Sequence, residues 1–191
     1  LPFGLDMPPE ERQLILDDRA LARTLHRMAQ DILRQTPDPI SLVLIGVQRR
    51  GVELAARLAA EARTQSGIEV PRGAMDITLY RDDLEAVGPR PLVGPTHLPV
   101  DLGGRHAWIV DDVLFTGRTV RAALDELADF GRPARIGLAV LVDRGGRELP
   151  IQADVVGERV PTGPRARVEV FVKELDGRAA VEVVRGAKVG G

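Results

Sequence analysis

Apolar positions follow two rhythms along this chain. From Asp17 onward, Leu21, Leu25, Met28 and Ile32 recur at helical spacing. Asp17 and Asp18 suit the start of that helix, where free N–H groups carry partial positive charge. Thr36-Pro37-Asp38-Pro39 ends it, because a residue before proline is pushed out of the α region. The rhythm then changes. Ile40 to Val47 (ISLVLIGV) is an unbroken apolar run rich in β-branched residues, which predicts a strand buried on both faces, as in a parallel sheet. Gln48 to Gly51 predicts a turn. Val52 to Arg63 predicts a helix, with Leu54, Ala55, Leu58, Ala59 and Ala62 on one side. Strands are expected over Gly73–Tyr80, Ala107–Val113, Arg135–Val142, Val168–Val172 and Val181–Val184, and a helix over Val120–Phe130. Two stretches interrupt these elements: 81–104, rich in Pro and Gly with few periodic apolars, and 143–166, a mixed segment with Pro and Gly. The first is long enough to suggest a functional loop. Residues 1–13, with Pro2, Gly4, Pro8 and Pro9, predict an arm, and 14–191 a single domain.

Strand–helix–strand alternation predicts an α/β fold with a mostly parallel central sheet flanked by helices. Ligands of such sheets sit at the carboxyl ends of strands. Gln48–Gly51 and Asp111–Thr119 both fall there. At 191 residues the chain suits one domain. Aromatics are only 3%, so the core must be built from Val, Leu, Ile and Ala. No apolar run approaches the roughly 18 residues of a membrane span, and no secretory signal pattern opens the chain, so no membrane partner is expected. Cysteine is absent, which removes thiol chemistry and fits a cytoplasmic location. A net charge of −2 argues against a general polyanion binder, so any contact with nucleic acid must come from a local patch.

The chemistry concentrates in IVDDVLFTGRTV, Ile109 to Val120. Thr116, Gly117, Arg118 and Thr119 join a strand to a helix. Consecutive N–H groups at a helix start, with two hydroxyls beside them, form an anion cradle. Asp111 and Asp112 are poor phosphate ligands. They are good acceptors for sugar hydroxyls and hard ligands for Mg2+. A bare Asp pair is usually a solvated one; followed by this turn at the end of a buried strand, it describes a sugar-phosphate site. Neither G-x-x-x-x-G-K-[ST] nor a strand-linked G-x-G-x-x-G occurs.

IVDDVLFTGRT resembles the phosphoribosyl-pyrophosphate (PRPP) signature of type I phosphoribosyltransferases. DITLYRDDL (Asp76–Leu84), GRPARIGLAVLVDRGGRELPIQAD (Gly131–Asp154) and VPT (Val160–Thr162) resemble, more narrowly, the PyrR family of bifunctional pyr operon attenuators and uracil phosphoribosyltransferases. The likeness runs from about Leu14 to Val172. It implies the type I phosphoribosyltransferase fold, with a small hood and a flexible loop. It also implies the reaction of uracil with PRPP to give UMP and pyrophosphate, with Mg2+.

By that resemblance Asp111 and Asp112 hold the ribose hydroxyls, directly or through Mg2+. The run Val113, Leu114, Phe115, Thr116, Gly117, Arg118 and Thr119 completes the ribose and 5′-phosphate site. Arg49 and Arg50 match the pyrophosphate loop. A hood over about Tyr80–Pro99 closes on PRPP, bringing Arg81 to the pyrophosphate. Arg144 and the backbone near Val168 meet uracil or UMP. His26, Arg27, Arg144, Arg147 and Arg159 face a pyr leader mRNA that binds when UMP is present. A homodimer or homotetramer is implied. Arg19, Arg23 and Arg27, each four apart on the first helix, fit an RNA-facing stripe, while the helix alone favours a solvated polar face. The family pattern at two sites reads RGHREL and GKNVPTS. Here Gly146 replaces a His, Glu158 a Lys and Gly163 a Ser, changes expected to weaken RNA binding, with Arg159 compensating. A salvage enzyme without RNA regulation is the alternative. His97 and His106 receive no role.

Overall fold

The computed structural model describes residues 10–77, 96–98 and 100–186. Five parallel strands form the central sheet: β2 (Leu42–Val47), β3 (Arg72–Met75), β4 (His106–Leu114), β5 (Arg135–Asp143) and β6 (Val155–Arg159), in the order β3-β2-β4-β5-β6. Helices α1 (Asp18–Gln35) and α2 (Arg50–Ser66) cover one face, and α3 (Arg118–Asp129) the other. Alternation along β2 shows why its sequence is apolar throughout. Leu42 and Leu44 pack toward α1 and α2, while Val43, Ile45 and Val47 pack toward α3.

A second sheet is antiparallel, in the order β1-β8-β7: β1 (Glu11–Leu16), β7 (Ala166–Phe171) and β8 (Ala180–Arg185). A four-residue helix, α4 (Lys173–Asp176), joins the last two strands. Leu16, Val170 and Val181 bring this sheet into the core shared by α1 and α2. Its other face carries ion pairs, with Arg12 between Glu169 (2.7 Å) and Glu182 (3.0 Å).

The elements depart from expectation chiefly where strands are edges. β1 runs across the expected arm boundary at residue 13, and its polar Glu11-Arg12-Gln13 carries no apolar signal. β6 lies inside the mixed stretch 143–166, where the sequence pattern predicts no strand, and α4 has no counterpart among the expected helices. β3 ends at Met75, short of the expected Tyr80; residues 78–80 lie outside the described residues, as do Arg81 and most of the expected hood. His97 does appear, exchanging backbone hydrogen bonds with Ala74. β4 ends at Leu114, one residue past the expected Val113, with the Asp pair inside the strand as expected.

The floor of the sheet is aromatic. Trp108, fully buried, donates its indole N–H to Thr36 Oγ1 at 3.1 Å, and the His106 ring stacks at 5.8 Å. Gly137 on β5 leaves room for that indole: a Cβ there would lie 2.7 Å from its ring.

Candidate functional site

Three connections meet at the carboxyl end of the sheet. α2 begins at Arg50, two residues before the expected Val52, and its first turn lies directly against β4, since a Cβ on Gly51 would overlap the Val110 carbonyl oxygen and approach Asp111 Cα to 3.4 Å. Only glycine permits that approach. It sets Arg49 and Arg50 beside the Asp pair. Arg49 is exposed. Arg50 is half-buried and donates from Nη2 to Asp176 Oδ1 of α4 at 3.0 Å, while its Nε is buried without a hydrogen-bond partner. Asp176 in turn accepts the Val172 N–H at 2.8 Å.

The sequence pattern puts Asp111 where the chain opens to solvent. The structure corrects this: Asp111 is buried, only 6% exposed, because β4 continues three residues past it along β5 and the start of α2 packs against it at Gly51. Its Oδ1 accepts the Asp112 N–H at 2.9 Å, and Asp112 Oδ1 accepts the Val113 N–H at 2.9 Å. Asp112 is half-buried. Among the described residues no group of three or more metal-ligating side chains forms, so the pair alone makes no closed metal cage.

After Leu114 the chain turns through Phe115, Thr116 and Gly117 into α3. Gly117 takes φ +93° and caps the helix with no side-chain hydrogen bond. Gly117 brings no capping oxygen of its own, which leaves the α3 start more open to an anion than a Ser- or Asp-capped one. Thr116 Oγ1 accepts the Arg118 N–H at 3.3 Å. Arg118 Nε pairs with Glu148 at 2.8 Å.

The third connection follows β5. The Arg144 guanidinium lies 3.9 Å from the Phe115 ring centroid and donates to the carbonyls of Ala166 (2.7 Å) and Gly163 (3.4 Å). It is 8% exposed, and burial lowers its pKa. Val168 lies just beyond, half-buried on β7. Asp143 ends β5 in contact with two arginines: Arg147 Nη2 at 2.6 Å and Arg159 Nη1 at 3.3 Å. Burial pushes the Asp143 carboxyl up, but the Arg147 hydrogen bond, the Gly145 N–H and the charges of both arginines outweigh it and hold it below the usual range. The Phe115 ring fills the space that a side chain at Gly146 would need.

Residues expected to meet RNA are largely engaged within the fold. On α1, Arg27 donates to the carbonyls of Val156 (3.3 Å) and Gly157 on β6 and pairs with Asp31. His26 Nδ1 lies 2.9 Å from Glu61 Oε2 on α2, flanked by Gln30 and Gln65. Arg159 is the most open of the set, 63% exposed at its side chain, whereas Arg147 is 22% exposed. Asp143 and Asp176 are not among the residues that the sequence pattern singles out. An acid closing a buried strand, as Asp143 closes RIGLAVLVD, is the available signal for the first. The second has a partner 126 positions away and no local signal.

The chain matches the model of the phosphoribosyl transferase domain over residues 12–169. A relative from Chloroflexus aurantiacus named bifunctional protein PyrR is 52% identical over 177 residues, covering 93% of this chain and 97% of its own. One of the same name from Thermus aquaticus is 53% identical over 163 residues, covering 85% and 90%. A hypoxanthine-guanine phosphoribosyltransferase structure from Bacillus anthracis superposes with a TM-score of 0.68 at 18% identity, over 90% of this chain and 96% of that one, a likeness of fold. No described helix is long and apolar enough to cross a membrane.

Proposed function

The chain belongs to the phosphoribosyl transferase family and, within it, to the PyrR proteins, and from that premise we propose that it converts uracil and PRPP to UMP and pyrophosphate and regulates pyr transcripts by binding their leader RNA with UMP. The observation that carries the enzymatic reading is the Asp111–Asp112 pair followed, after four residues, by a helix start opened by Gly117, which adds no capping side chain. Carboxylates and an anion cradle a few residues apart match a ribose bearing a 5′-phosphate.

Breaking the anomeric bond develops positive charge on the ribose and negative charge on the departing pyrophosphate. The work of the protein is then positioning and charge stabilisation. Asp111 and Asp112 accept the ribose hydroxyls. Backbone N–H groups of Thr116–Thr119, with their hydroxyls, hold the 5′-phosphate; Val113, Leu114 and Phe115 set the turn. Arg49 and Arg50 neutralise pyrophosphate, joined by Arg81. Arg144 and the Val168 backbone border the base. Two adjacent carboxylates without a closed cage suit Mg2+, which keeps most of its coordination for water and substrate phosphate. If held there, Mg2+ would supply countercharge for pyrophosphate. Asp112→Asn tests the reading in a uracil-plus-PRPP turnover assay. Turnover should fall at least about tenfold with little change in melting temperature. Unchanged turnover overturns it.

For RNA, exposed Arg159 and, on α1, exposed Arg19 and Arg23 are cationic groups available to phosphates. A salvage enzyme without RNA binding is the second reading. It is favoured by Glu158 beside Arg159, and by His26 and Arg27 being occupied by Glu61 and by β6 carbonyls. A salt-dependent titration with pyr leader RNA, with and without UMP, separates the two. A cytoplasmic homodimer or homotetramer completes the proposal.

A further inference from the structure

The 5′-phosphate turn does not stand alone. The segment after β5 forms its outer wall. The N–H groups of Glu148 and Leu149 both donate to Thr116 O, at 3.0 and 3.1 Å. Side-chain atoms of Leu149 and Ile151 lie 3.3 Å from where a Gly117 Cβ would be. One side chain fastens this wall to both the sheet and the turn. Arg147 pairs through Nη2 with Asp143 at 2.6 Å, donates from Nε to Ile151 O at 3.0 Å, and donates from Nη1 to Phe115 O at 2.9 Å. Those bonds reach the end of β5, the far end of the wall and the first residue of the turn. Only the planar five-donor fork of arginine makes such a set at fixed angles. With its nitrogens committed this way and its side chain 22% exposed, Arg147 has little left for an outside phosphate.

We propose that Arg147, anchored by Asp143, is a positioning residue for the 5′-phosphate turn, fixing Phe115–Gly117 where the phosphate of PRPP or UMP must bind. The inference rests on the reading of Thr116–Thr119 as the phosphate cradle. Asp143 is suited to the anchor because its neighbours keep it ionised. Arg159 shares the same Oδ2, but at 3.3 Å and from an exposed position it is the weaker partner.

The test uses the full chain with Arg147→Met and Arg147→Lys. For Arg147→Met, KM for PRPP and Kd for UMP should each rise about tenfold, with kcat at saturating PRPP within about twofold of wild type. Arg147→Lys keeps the charge opposite Asp143 but loses the fork, so its rise should be smaller. Product inhibition by inorganic pyrophosphate should not change, because that group is held at the β2–α2 turn. Unaltered PRPP and UMP affinities overturn the inference. So does an equal weakening toward pyrophosphate, or loss of folding in both variants, since each makes the pair generally structural. A wild-type chain that binds UMP but does not turn over uracil refutes the activity alone. Loss of UMP affinity in Arg147→Met would then still support the positioning role.

Discussion

Gly117→Ala puts the phosphate turn to a quantitative test. Gly117 sits at φ +93°, where an L-residue clashes with its own backbone at a cost of about 1–2 kcal/mol. The new Cβ would also meet Ile151 and Leu149 at 3.3 Å, so the wall must yield by a few tenths of an ångström. Alanine is a poorer helix cap than glycine by roughly 0.5 kcal/mol. Against this, removing glycine stiffens the unfolded chain and returns about 0.4–1 kcal/mol. The net is a loss of about 1–2 kcal/mol, which lowers the melting temperature by about 2–8 °C for a chain of this size. Gly104→Ala is the control. Gly104 has φ +70° with nothing near its Cβ position, so it carries the same backbone strain away from the site. Thermal unfolding and PRPP kinetics on both variants separate strain from function. Both should lose stability. Gly117→Ala alone should raise KM for PRPP, by about tenfold or more, because a small displacement of a binding turn is costly. Equal PRPP kinetics in the two variants, or a Gly117→Ala protein as stable as wild type, would refute the reasoning.

Two further outcomes follow from the geometry. Asp176→Asn leaves Arg50 opposite a neutral amide, so inhibition by inorganic pyrophosphate and KM for PRPP should change about threefold to tenfold, with the 5′-phosphate arm, read as affinity for UMP, unaffected. UMP affinity falling in step would contradict the division of labour between the two turns. His106 has its pKa lowered by burial first and by the Arg135 charge second, against the opposing charge of Asp154. As pH falls below about 6.5, the unfolded chain takes up this proton before the native one does, and stability drops; above that value the group contributes no pH dependence. Unfolding free energies measured between about pH 5 and pH 8 should slope less in His106→Phe than in wild type, and matching slopes would exclude His106 as a source.

How legible each element is in the sequence follows from how it is buried. β2, β4 and β5 are covered on both faces, so their runs are apolar and stand out by hydropathy alone. β1 and β6 are edges with polar residues facing water, and their sequences ERQLIL and VVGER carry no such mark. The Thr116–Thr119 turn is legible because its chemistry is local: glycine, hydroxyls and a helix start within four residues. Arg50 is legible as a cation at a strand end, but not as the partner of Asp176, which reaches it only through the second sheet. Arg147 shows the same limit. Its charge suggests an outward role, whereas its contacts with Asp143, Ile151 and Phe115 depend on how three connections converge.

Trp108 is the one tryptophan of the chain. Fully enclosed and hydrogen-bonded to Thr36, it acts as an optical reporter seated in the spine of the protein. Its emission should lie to the blue in the native state and shift red on unfolding, giving a label-free readout for each stability measurement above. It also stands three residues, about 10 Å of strand, from Asp111. A spectrum that shifted when PRPP bound would therefore show β4 itself carrying the event from its carboxyl end to its floor.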